Sequence, residues 1–558
     1  MTHPTEKTAL NDSEAKRLLE KFGIALPPER FVSSIADVAA AADSMGYPLV
    51  LKGIGARLMH KTERGLVHLN LANSSAVENA AQSVKAEAGD DLDGFLLQPH
   101  LIGRREFVAG LFQDPQFGPV VMFGIGGVFT EAFSDVAFRL APLSETDARE
   151  MLGEIQGQAL LGDFRGEKAI RRDDLIQILL GLSRIGETHP EITEIDINPL
   201  LANPEGRVAA VDTLVVTGFE VEKIDFLPPI APDAIGALFY PKSVAIVGAS
   251  SQIGKWGHTL TANTISGGFK GPIYPVNPKG GTIAGKEAFR SVSEIPEKID
   301  LAAVTIPAQH VLKLLPEFSK KGIRNMLLIT SGFGETGADG KNLEQELVKA
   351  ARKAGVLVLG PNTMGIANPH NNLYCTGSPI MPRPGSTALV AQSGNMGIQL
   401  LAFAEQQGIG IRAFCGSGNE AMMTIEDYLD GFEVDSVTRT VILYVESVKN
   451  GRRFFESARR VGRKKPIVLL KGGRSDAGNR AAASHTGAMT SDIKIFEAVC
   501  RQAGVVLAKE PMDLLDLAAA FSSLPLPEGR RAAIVTLGGG WGVVTADLCA
   551  EYGLEVPE

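Results

Sequence analysis

The stretch Val244–Gly254, with the sequence VAIVGASSQIG, decides the fold class of this chain. It predicts a buried β-strand that ends in a Gly-rich turn and passes into a helix. Short apolar runs of the same kind follow at 301–306, 325–330 and 356–359. Because strands alternate here with helical segments, the sequence predicts βαβ units around a parallel sheet.

The same pattern extends to both sides of this block. With 558 residues the chain is too long for a single core, so we expect several domains. Farther along, strands are predicted near 387–391, 411–415, 440–445 and 466–471. The first block, 10–220, begins with a capped helix from Ala15 to Lys21 and a strand from Tyr47 to Lys52. The Pro-rich segment 227–233 is predicted to be a linker.

The last segment of the sequence resembles the beginning of another βα unit. Residues 532–536 predict a strand, and the Gly-rich run 537–542 predicts a turn and the start of a helix. A single βα unit cannot bury its own apolar faces. We therefore expect this unit to dock elsewhere or to belong to a domain that is cut short.

Composition excludes several classes of protein. The net charge of −9 argues against nucleic acid as the main partner. The sequence contains no uncharged apolar run of 18 residues and no signal-peptide pattern, so a cytoplasmic protein without a membrane span is expected. The four cysteines are scattered without metal-type spacing, which predicts buried free thiols.

The turn after residue 247 favours coenzyme A over a nicotinamide dinucleotide. Glycines allow a backbone to approach a pyrophosphate closely, and the helix N-terminus stabilises its charge. Ser250 stands where the dinucleotide pattern has its second glycine, and Lys279 follows near the end of the next predicted strand. A lysine suits a phosphate better than a ribose hydroxyl. A turn with only a structural role is the alternative.

Two more Gly-rich turns, 391–397 and 415–420, lie one strand apart. If their helix N-termini converge, they form an anion site. His485 lies in the small, polar run 483–488, where an imidazole on an open loop suits a phosphoryl carrier. Packing glycines and an ordinary surface histidine are the alternatives.

The first block contains candidate ligands for a nucleotide. Lys52 ends a predicted strand, and alternation places Asp196 and Asn198 on one face of another. Asp212 follows on the next strand. Oxygen ligands on neighbouring strands suit Mg²⁺ that carries nucleotide phosphates, and a hairpin with solvated acids is the alternative.

Taken together, these motifs resemble the NDP-forming acyl-CoA synthetases, which include ADP-forming acetate–CoA ligase and are related to succinyl-CoA synthetase. The resemblance covers nearly the whole chain and is most specific in the segments 58–65, 114–119 with 124–127, 194–200, 360–362 and 484–488. It implies a multidomain α/β protein. The expected domains are ATP-grasp at 1–225, Rossmann-like CoA-binding at 226–375, flavodoxin-like ligase at 376–528, and the start of a further α/β domain at 529–558.

The resemblance also implies a reaction: ATP phosphorylates a histidine, the phosphoryl group passes to a carboxylic acid, and CoA displaces it as a thioester. His485 matches the phosphorylated histidine, Glu446 the glutamate that holds it, and His60 a second histidine that relays the group. Asp196 stands where succinyl-CoA synthetase has a glutamate, and Asn198 and Asp212 match the Mg²⁺ ligands. The other expected contacts are Lys52, Gln98 and Glu106 for ATP, and Gly248, Ser250, Lys279, Pro307, Asn362, Ser393, Gly394, Asn395, Gly418 and Asn419 for CoA or the phosphoryl group.

Three features of the sequence depart from the family pattern. Leu66 replaces a second glycine, Trp541 stands where a proline is usual, and the family's last domain continues for a further segment. An inactive or regulatory protein that binds CoA and nucleotide is therefore the alternative to a ligase. The acid substrate is left open between acetate, another short acid and an aryl acid such as ferulate. The expected assembly is a homodimer, or a pairing with a chain that supplies the missing part. A protein acetyltransferase and an NAD oxidoreductase are disfavoured.

Overall fold

The computed structural model describes residues 7–55, 64–126, 135–218, 226–475 and 492–557. Helices and strands alternate through most of these ranges, as the sequence predicts. The α-helices of the described residues are α1 Asp12–Lys21, α2 Val38–Met45, α3 Ser74–Ala88, α4 Glu145–Glu154, α5 Arg172–Thr188, α6 Pro232–Phe239, α7 Trp256–Ser266, α8 Ala308–Val311, α9 Leu315–Lys321, α10 Ala338–Ala354, α11 Gly394–Gln406, α12 Ile425–Val434, α13 Gly451–Gly462, α14 Ile493–Gln502, α15 Pro511–Ser523 and α16 Gly539–Glu551.

The chain divides into two compact units. The first comprises residues 1–228 with the later segments 449–456 and 491–503, and the second comprises 229–448, 457–490 and 504–558. The predicted domain limits are finer than this division and stay a prediction.

The strands of the first unit form two antiparallel sheets. Their bounds are β1 Thr8–Ala9, β2 Arg30–Val32, β3 Leu49–Ile54, β4 Val67–Leu71, β5 Gly94–Pro99, β6 Arg105–Asp114, β7 Gly118–Ile125, β8 Val136–Leu140, β9 Ile192–Ala202, β10 Val208–Ala210 and β11 Thr213–Thr217. The larger sheet has the order β1-β11-β9-β6-β7-β8 with β10 paired to β9, and the smaller has the order β2-β5-β3-β4. Strand β9 therefore lies at the middle of the larger sheet, with β11 beside it.

Local sequence explains why helix α1 begins where it does. The side chain of Asn11 accepts from the backbone of Glu14, and the Glu14 side chain accepts from the backbone of Asn11. This reciprocal capping box satisfies two amide groups at the helix N-terminus. The helix then buries Ala15 and Leu19 in the core of the larger sheet.

Helix α14 belongs to the first unit although it comes late in the sequence. The Gln502 carboxamide accepts from the backbone nitrogen of Leu140 at 2.8 Å and donates to the same residue's carbonyl oxygen at 3.0 Å. The Phe496 ring stacks on Phe454, with centroids 5.9 Å apart, and contacts Phe117 at 6.4 Å. The side chains thus fix this helix beside strand β8 by both polar and aromatic contacts.

The second unit holds two larger sheets and one hairpin. Its strands are β12 Val244–Val247, β13 Ile273–Val276, β14 Thr282–Ile283, β15 Lys286–Glu287, β16 Leu301–Val304, β17 Asn325–Leu328, β18 Leu357–Leu359, β19 Gly365–Asn368, β20 Leu373–Thr376, β21 Pro384–Ala391, β22 Ile411–Gly416, β23 Thr440–Val445, β24 Ile467–Lys471 and β25 Val506–Ala508. The first sheet is parallel in the order β13-β12-β16-β17-β18, and the second has the order β20-β19-β22-β21-β23-β24-β25. Strands β14 and β15 form the hairpin.

The parallel strands of both sheets are almost entirely buried, as expected when helices cover both faces. The antiparallel strands β19 and β20, which the sequence analysis missed, extend the second sheet next to β22. The predicted α/β fold is confirmed in both sheets.

The predicted strand at 532–536 is wrong. These residues have no regular secondary structure, and the side chain of Val535 is 97% exposed. Their neighbour Arg531 forms an isolated bridge with Glu555, made by one bond from the Ala532 nitrogen to the Glu555 oxygen, 2.8 Å long, and one from the Glu555 nitrogen to the Arg530 oxygen, 2.9 Å long. A strand requires a neighbour for alternate amide groups all along its length, and one bridge does not supply that. The helix predicted after the Gly-rich turn is present as α16.

Candidate functional site

The nucleotide candidates come together at strands β3, β9 and β11 of the first unit. Lys52 lies on β3 with only 6% of its surface exposed. Its ammonium nitrogen donates to the carbonyl oxygen of Val211 at 3.0 Å and lies 3.4 Å from Oδ1 of Asp212. The residues are distant in sequence, so the fold brings together two side chains that the sequence marks separately.

Strand β9 presents its polar side chains away from the core. Ile195 and Ile197 are buried in the core of the larger sheet, whereas Asp196 is half-buried and Asn198 is exposed. The backbone nitrogen of Asn198 donates to the carbonyl oxygen of Asp212 at 3.1 Å. Burial, reinforced by the nearby charges of Glu194 and Asp212, raises the pKa of Asp196 above its ordinary value.

The oxygen donors of this cluster suit a hard cation. Among the residues that the structure describes, no three His, Cys, Asp or Glu side chains are grouped to hold a metal ion by themselves. The Asn198 carboxamide and the Asp212 carboxylate are both exposed oxygen ligands. Mg²⁺ is commonly bound by one or two such groups together with substrate phosphates. These two residues therefore fit a Mg²⁺ ion that arrives with a nucleotide.

The other two predicted ATP contacts have structural partners. Gln98 on β5 is 4% exposed, and its amide nitrogen donates to Oε2 of Glu29 at 2.8 Å. Glu106 on β6 is half-buried, and its carbonyl oxygen accepts from the backbone nitrogen of Gly126 at 2.8 Å. Glu106 pairs with Leu201 of β9, so Glu106 lies on the strand next to the one that carries Asp196.

The turn after β12 requires glycine. Gly248 has a φ of +92°, and a Cβ atom there would lie 2.6 Å from Oγ1 of Thr305. A Cβ on Gly257, near the start of α7, would lie 2.0 Å from the carbonyl oxygen of Gly248. The strand and the helix therefore approach as closely as backbone atoms permit, which is the geometry of a turn built around a phosphate group. Ser250, half-buried in this turn, accepts from the Gln252 nitrogen at 3.1 Å.

A cavity of about 580 Å³ opens beside this turn, where strands β16 and β17 end. Pro307, which precedes helix α8, is part of its wall. Other lining residues are Trp256, Thr305, Thr330, Ser331 and Leu343. Lys279 is exposed in the loop after β13, where its backbone nitrogen donates to the Asn277 side chain. Ligands of open parallel sheets bind at this carboxyl edge.

The Gly-rich turn at 415–420 meets the loop at 360–362 at a second point in the same unit. Asn362 has a φ of +58°, and its amide nitrogen lies 3.3 Å from Oδ1 of Asn419. Gly418 has a φ of +64°, and a Cβ atom there would lie 2.2 Å from the carbonyl oxygen of Pro361. The loops after β18 and β22 are therefore in backbone contact.

Two glutamates that the sequence analysis missed fix Asn419. Its amide nitrogen donates to Oε2 of Glu344 at 2.9 Å and also to Oε2 of Glu335. Burial opposes ionisation of Glu335, but the bonds from Asn419 and from the Gly332 and Phe333 nitrogens outweigh it and lower its pKa. The arrangement sets which end of the Asn419 carboxamide points toward Asn362.

The turn after β21 begins helix α11 and also contacts Glu446. Ser393 is the N-cap residue and accepts from the Met396 nitrogen at 3.5 Å, while Gly394 and Asn395 form the first turn of the helix. Glu446, 7% exposed, directly follows β23. Its backbone nitrogen donates to Oε1 of Gln392 at 2.6 Å. Gln392 belongs to a motif identified in the sequence, but its contact with Glu446 depends on the neighbouring strand.

Two of the predicted residues, His60 and His485, lie outside the described residues. Contacts between described residues join some of the other predicted site residues into two clusters, one in each unit. The structure thus brings Lys52, Asp196, Asn198 and Asp212 into one group. It brings Asn362, Gly418 and Asn419 into another.

In the described part of the chain, no helix is both long enough and apolar enough to cross a membrane.

Comparison with known proteins gives three matched families along the chain. Residues 3–216 match an ATP-grasp domain, 242–369 match a CoA binding domain, and 384–521 match a succinyl-CoA ligase like flavodoxin domain. The order and position of these matches follow the clusters described above.

Individual relatives extend the similarity over nearly the whole chain. The chain is 36% identical to acetate–CoA ligase [ADP-forming] II of Archaeoglobus fulgidus over 555 residues, covering 98% of this chain and 80% of that protein. It is 32% identical to trans-feruloyl-CoA synthase FCS1 of an unknown prokaryotic organism, covering 58% and 46%. Among solved structures, it resembles acetyl-coenzyme A synthetase 1 of Ca. Korarchaeum cryptofilum in complex with phosphate and ADP, at a TM-score of 0.56 and 37% identity, covering 58% and 70%.

Proposed function

Because this chain belongs to the family of ADP-forming acyl-CoA synthetases and is a ligase that uses ATP and CoA, we propose that it joins a carboxylic acid to CoA through a phosphohistidine at His485. ADP and phosphate are the other products. The reaction requires a nucleotide site and a separate site for CoA and the phosphoryl group. The two clusters of side chains, one in each unit, fit this requirement.

One observation carries the proposal: Glu446, Asn362 and Asn419 all lie where parallel strands end, next to Gly-rich turns. Such turns present backbone N–H groups and helix N-termini to an anion. A buried carboxylate beside them orients an imidazole and keeps the attacking nitrogen unprotonated. A phosphoryl group on a histidine is an anion that needs both kinds of group.

We propose that a ring nitrogen of His60 attacks the γ-phosphorus of ATP, which breaks the bond to ADP. A ring nitrogen of His485 then attacks the same phosphorus, which releases His60. The carboxylate of the acid then attacks the phosphorus, which forms an acyl phosphate and frees His485. Finally the CoA thiolate attacks the acyl carbon, phosphate leaves, and the thioester remains. The proton of the CoA thiol passes to the medium as phosphate is released.

In the first unit, Lys52 is positioned to neutralise charge on the nucleotide phosphates, and Asn198 and Asp212 would hold Mg²⁺. The ion supplies charge compensation for the β- and γ-phosphates. Asp196 and Glu106 lie on adjacent strands and are proposed to complete the nucleotide site, with Gln98 behind them. We propose that His60 receives the phosphoryl group here and relays it, because one imidazole cannot serve both sites.

In the second unit, the turn at Gly248 and Ser250 is proposed to hold the CoA pyrophosphate, with Lys279 on a phosphate group. Pro307 and the cavity beside it would accept the pantetheine arm. Ser393, Gly394, Asn395, Gly418 and Asn419 are proposed to surround the phosphoryl group. The proposed domain limits, 1–225, 226–375 and 376–528, assign one of these tasks to each domain.

The acid is proposed to be acetate or another short acid, because one relative that spans nearly the whole chain is an acetate–CoA ligase. An aryl acid such as ferulate is the second candidate, supported by the similarity to a feruloyl-CoA synthase. Thioester formation with a panel of both kinds of acid would distinguish them. We further propose a homodimer, which light scattering would test.

The test is thioester formation from ATP, Mg²⁺, CoA and each acid, with ADP release measured in parallel. His485→Ala is expected to lower turnover on the order of a thousandfold or more, since no other residue of the proposed mechanism passes the phosphoryl group to the acid. His189→Gln is the matched control, because the imidazole of His189 bonds to the Glu191 side chain and belongs to neither cluster. Normal turnover of His485→Ala would refute the proposal. Wild-type protein that binds CoA but turns over no acid would favour the binding-only alternative.

A further inference from the structure

The backbone at Glu446 is fixed from both sides. Gln392, which follows β21, accepts from the nitrogens of Glu446 and Ser447 at 2.6 and 3.0 Å and donates to the Ser447 oxygen at 2.8 Å. Lys471, at the end of β24, donates from its ammonium group to the Glu446 oxygen at 2.8 Å and to the Gly472 oxygen. Lys471 is 6% exposed. Strands on either side of β23 thus anchor the main chain of Glu446.

The side chain of Glu446 has its own anchor in Tyr444. The two residues are separated by one position at the end of β23, so their side chains share a face of the sheet. The Tyr444 hydroxyl donates to Oε1 of Glu446 at 3.3 Å. Burial, together with the charge of Glu446, raises the pKa of Tyr444, so the phenol keeps its proton and stays a donor.

Gly472 makes room for this pair. A Cβ atom at Gly472 would lie 2.7 Å from the Tyr444 hydroxyl oxygen and 3.2 Å from Cγ of Glu446. The backbone nitrogen of Gly472 donates to the Val445 oxygen at 2.8 Å, which holds the glycine in place. Any larger residue would therefore displace the tyrosine hydroxyl or the carboxylate.

We propose that Tyr444 is a positioning residue that holds the Glu446 carboxylate in the orientation required for phosphoryl transfer. The proposal rests on the proposed function, in which Glu446 orients the phosphorylated histidine. Gln392 and Lys471 bond to the main chain of Glu446, whereas the Tyr444 hydroxyl bonds to its carboxylate. This bond restricts the side-chain torsions of Glu446, and a carboxylate that rotates over a wider range spends less time in the productive orientation.

Tyr444→Phe tests the proposal because it removes only the hydroxyl. A hydrogen bond to a charged group of this kind corresponds to a change on the order of tenfold or more. We expect kcat for thioester formation and the rate of phosphorylation of His485 to fall by about that factor. The KM values for ATP, CoA and the acid are expected to stay within about twofold of wild type, because Tyr444 is proposed to act through Glu446 and not on a substrate.

Tyr374→Phe is the matched control. Tyr374 is 6% exposed on β20 and donates its hydroxyl to the Pro382 oxygen at 2.9 Å, outside the cluster around Glu446. It is expected to lower Tm without changing kcat. Gly472→Ala provides a second, independent disturbance and is expected to lower kcat at least as much as Tyr444→Phe.

The outcomes separate this inference from the function on which it rests. Wild-type kcat and phosphorylation in Tyr444→Phe would overturn the inference and leave the function intact. A parallel loss of Tm and a rise of every KM would also overturn it, because a merely structural role predicts that pattern. A wild-type protein that accepts no phosphoryl group would overturn the proposed function, and the inference with it.

Discussion

The ammonium nitrogen of Lys52 lies 3.4 Å from Oδ1 of Asp212, across 160 positions of sequence. The lysine is almost fully buried, whereas the aspartate side chain is 54% exposed. The buried cation therefore meets solvent at the side where the aspartate stands. A nucleotide phosphate that approaches from that side would contact the ammonium group of Lys52, which is already oriented. A Mg²⁺ ion would contact the Asp212 carboxylate.

Asp212→Asn is expected to raise the Mg²⁺ concentration required for half-maximal activity and the KM for ATP, each by roughly tenfold, because a neutral amide binds Mg²⁺ less well than a carboxylate. The KM for CoA is expected to stay unchanged. Steady-state kinetics at graded Mg²⁺ concentrations measure all three. Glu205→Gln removes a charge from an exposed turn of the same unit and is the control. An unchanged Mg²⁺ requirement would exclude Asp212 as a ligand.

Asn419→Asp is expected to weaken the second cluster. The substitution places a third carboxylate against Glu335 and Glu344, where Asn419 now supplies both with a donor. Loss of these bonds and the added repulsion are expected to cost roughly 1–3 kcal/mol of folding free energy and to lower kcat. Denaturant unfolding and thioester assays measure the two effects. Asn342→Asp adds the same charge at an exposed position of α10, and equal effects from both variants would contradict the assignment.

We predict that the folding stability of the protein depends on pH through the charge of Asp435. Burial opposes ionisation of Asp435. The Arg412 guanidinium binds both carboxylate oxygens at 2.7 and 2.9 Å, and the Thr438 hydroxyl also donates to the carboxylate. These bonds outweigh burial and lower the pKa of Asp435. A carboxyl whose folded pKa is depressed contributes stability that is present above its unfolded pKa, about 3.9, and is lost as the pH falls through the folded pKa.

Asp435→Asn is therefore expected to lower Tm at pH 7, with a cost of roughly 1–3 kcal/mol for losing bonds to a charged group. The difference from wild type should narrow as the pH falls below about 4. Thermal unfolding across this range measures it, and exposed Asp547→Asn is the control. A Tm difference that stays constant with pH would show that the charge of Asp435 is not the cause.

The buried thiols predict resistance to alkylation. Burial raises the pKa of Cys375 and of Cys415 to about 12 each, and both side chains are fully inaccessible. Because the thiolate is the reactive form, we expect neither residue to react with iodoacetamide at pH 8 on the timescale at which the urea-unfolded chain is labelled. Peptide mass spectrometry resolves the two sites. Rapid labelling of either in native protein would contradict their burial.

Local sequence was sufficient to predict most of the fold. The apolar runs that give β12, β16, β17 and β23 are short, bounded by turn residues and buried on both faces. Each of these strands can therefore be predicted from its own residues. Glycines with positive φ, such as Gly248 and Gly418, marked the turns that build the second cluster. The predicted strand at 532–536 failed because a strand depends on a partner, which the run itself does not specify.

The parts that were missed depend on contacts between residues far apart in sequence. Glu335 and Glu344 lie 84 and 75 positions from Asn419, and only the packing of two sheets brings them together. The sequence around Tyr444 is that of an ordinary strand, and the role proposed for its hydroxyl depends on its bond to Glu446. The contact of α14 with β8 through Gln502 could not be predicted either, because a single glutamine in a helix does not indicate its partner.

The most direct test of the account is incubation of the protein with γ-labelled ATP and Mg²⁺, followed by separation on a denaturing gel after acid or alkali treatment. The proposed function predicts label that is labile to acid and stable to alkali in wild type and in His485→Ala. It predicts that CoA and a substrate acid, added together, discharge the label from wild type but not from His485→Ala. Folded wild-type protein that takes up no label, or His485→Ala whose label is discharged, would contradict a phosphohistidine at His485.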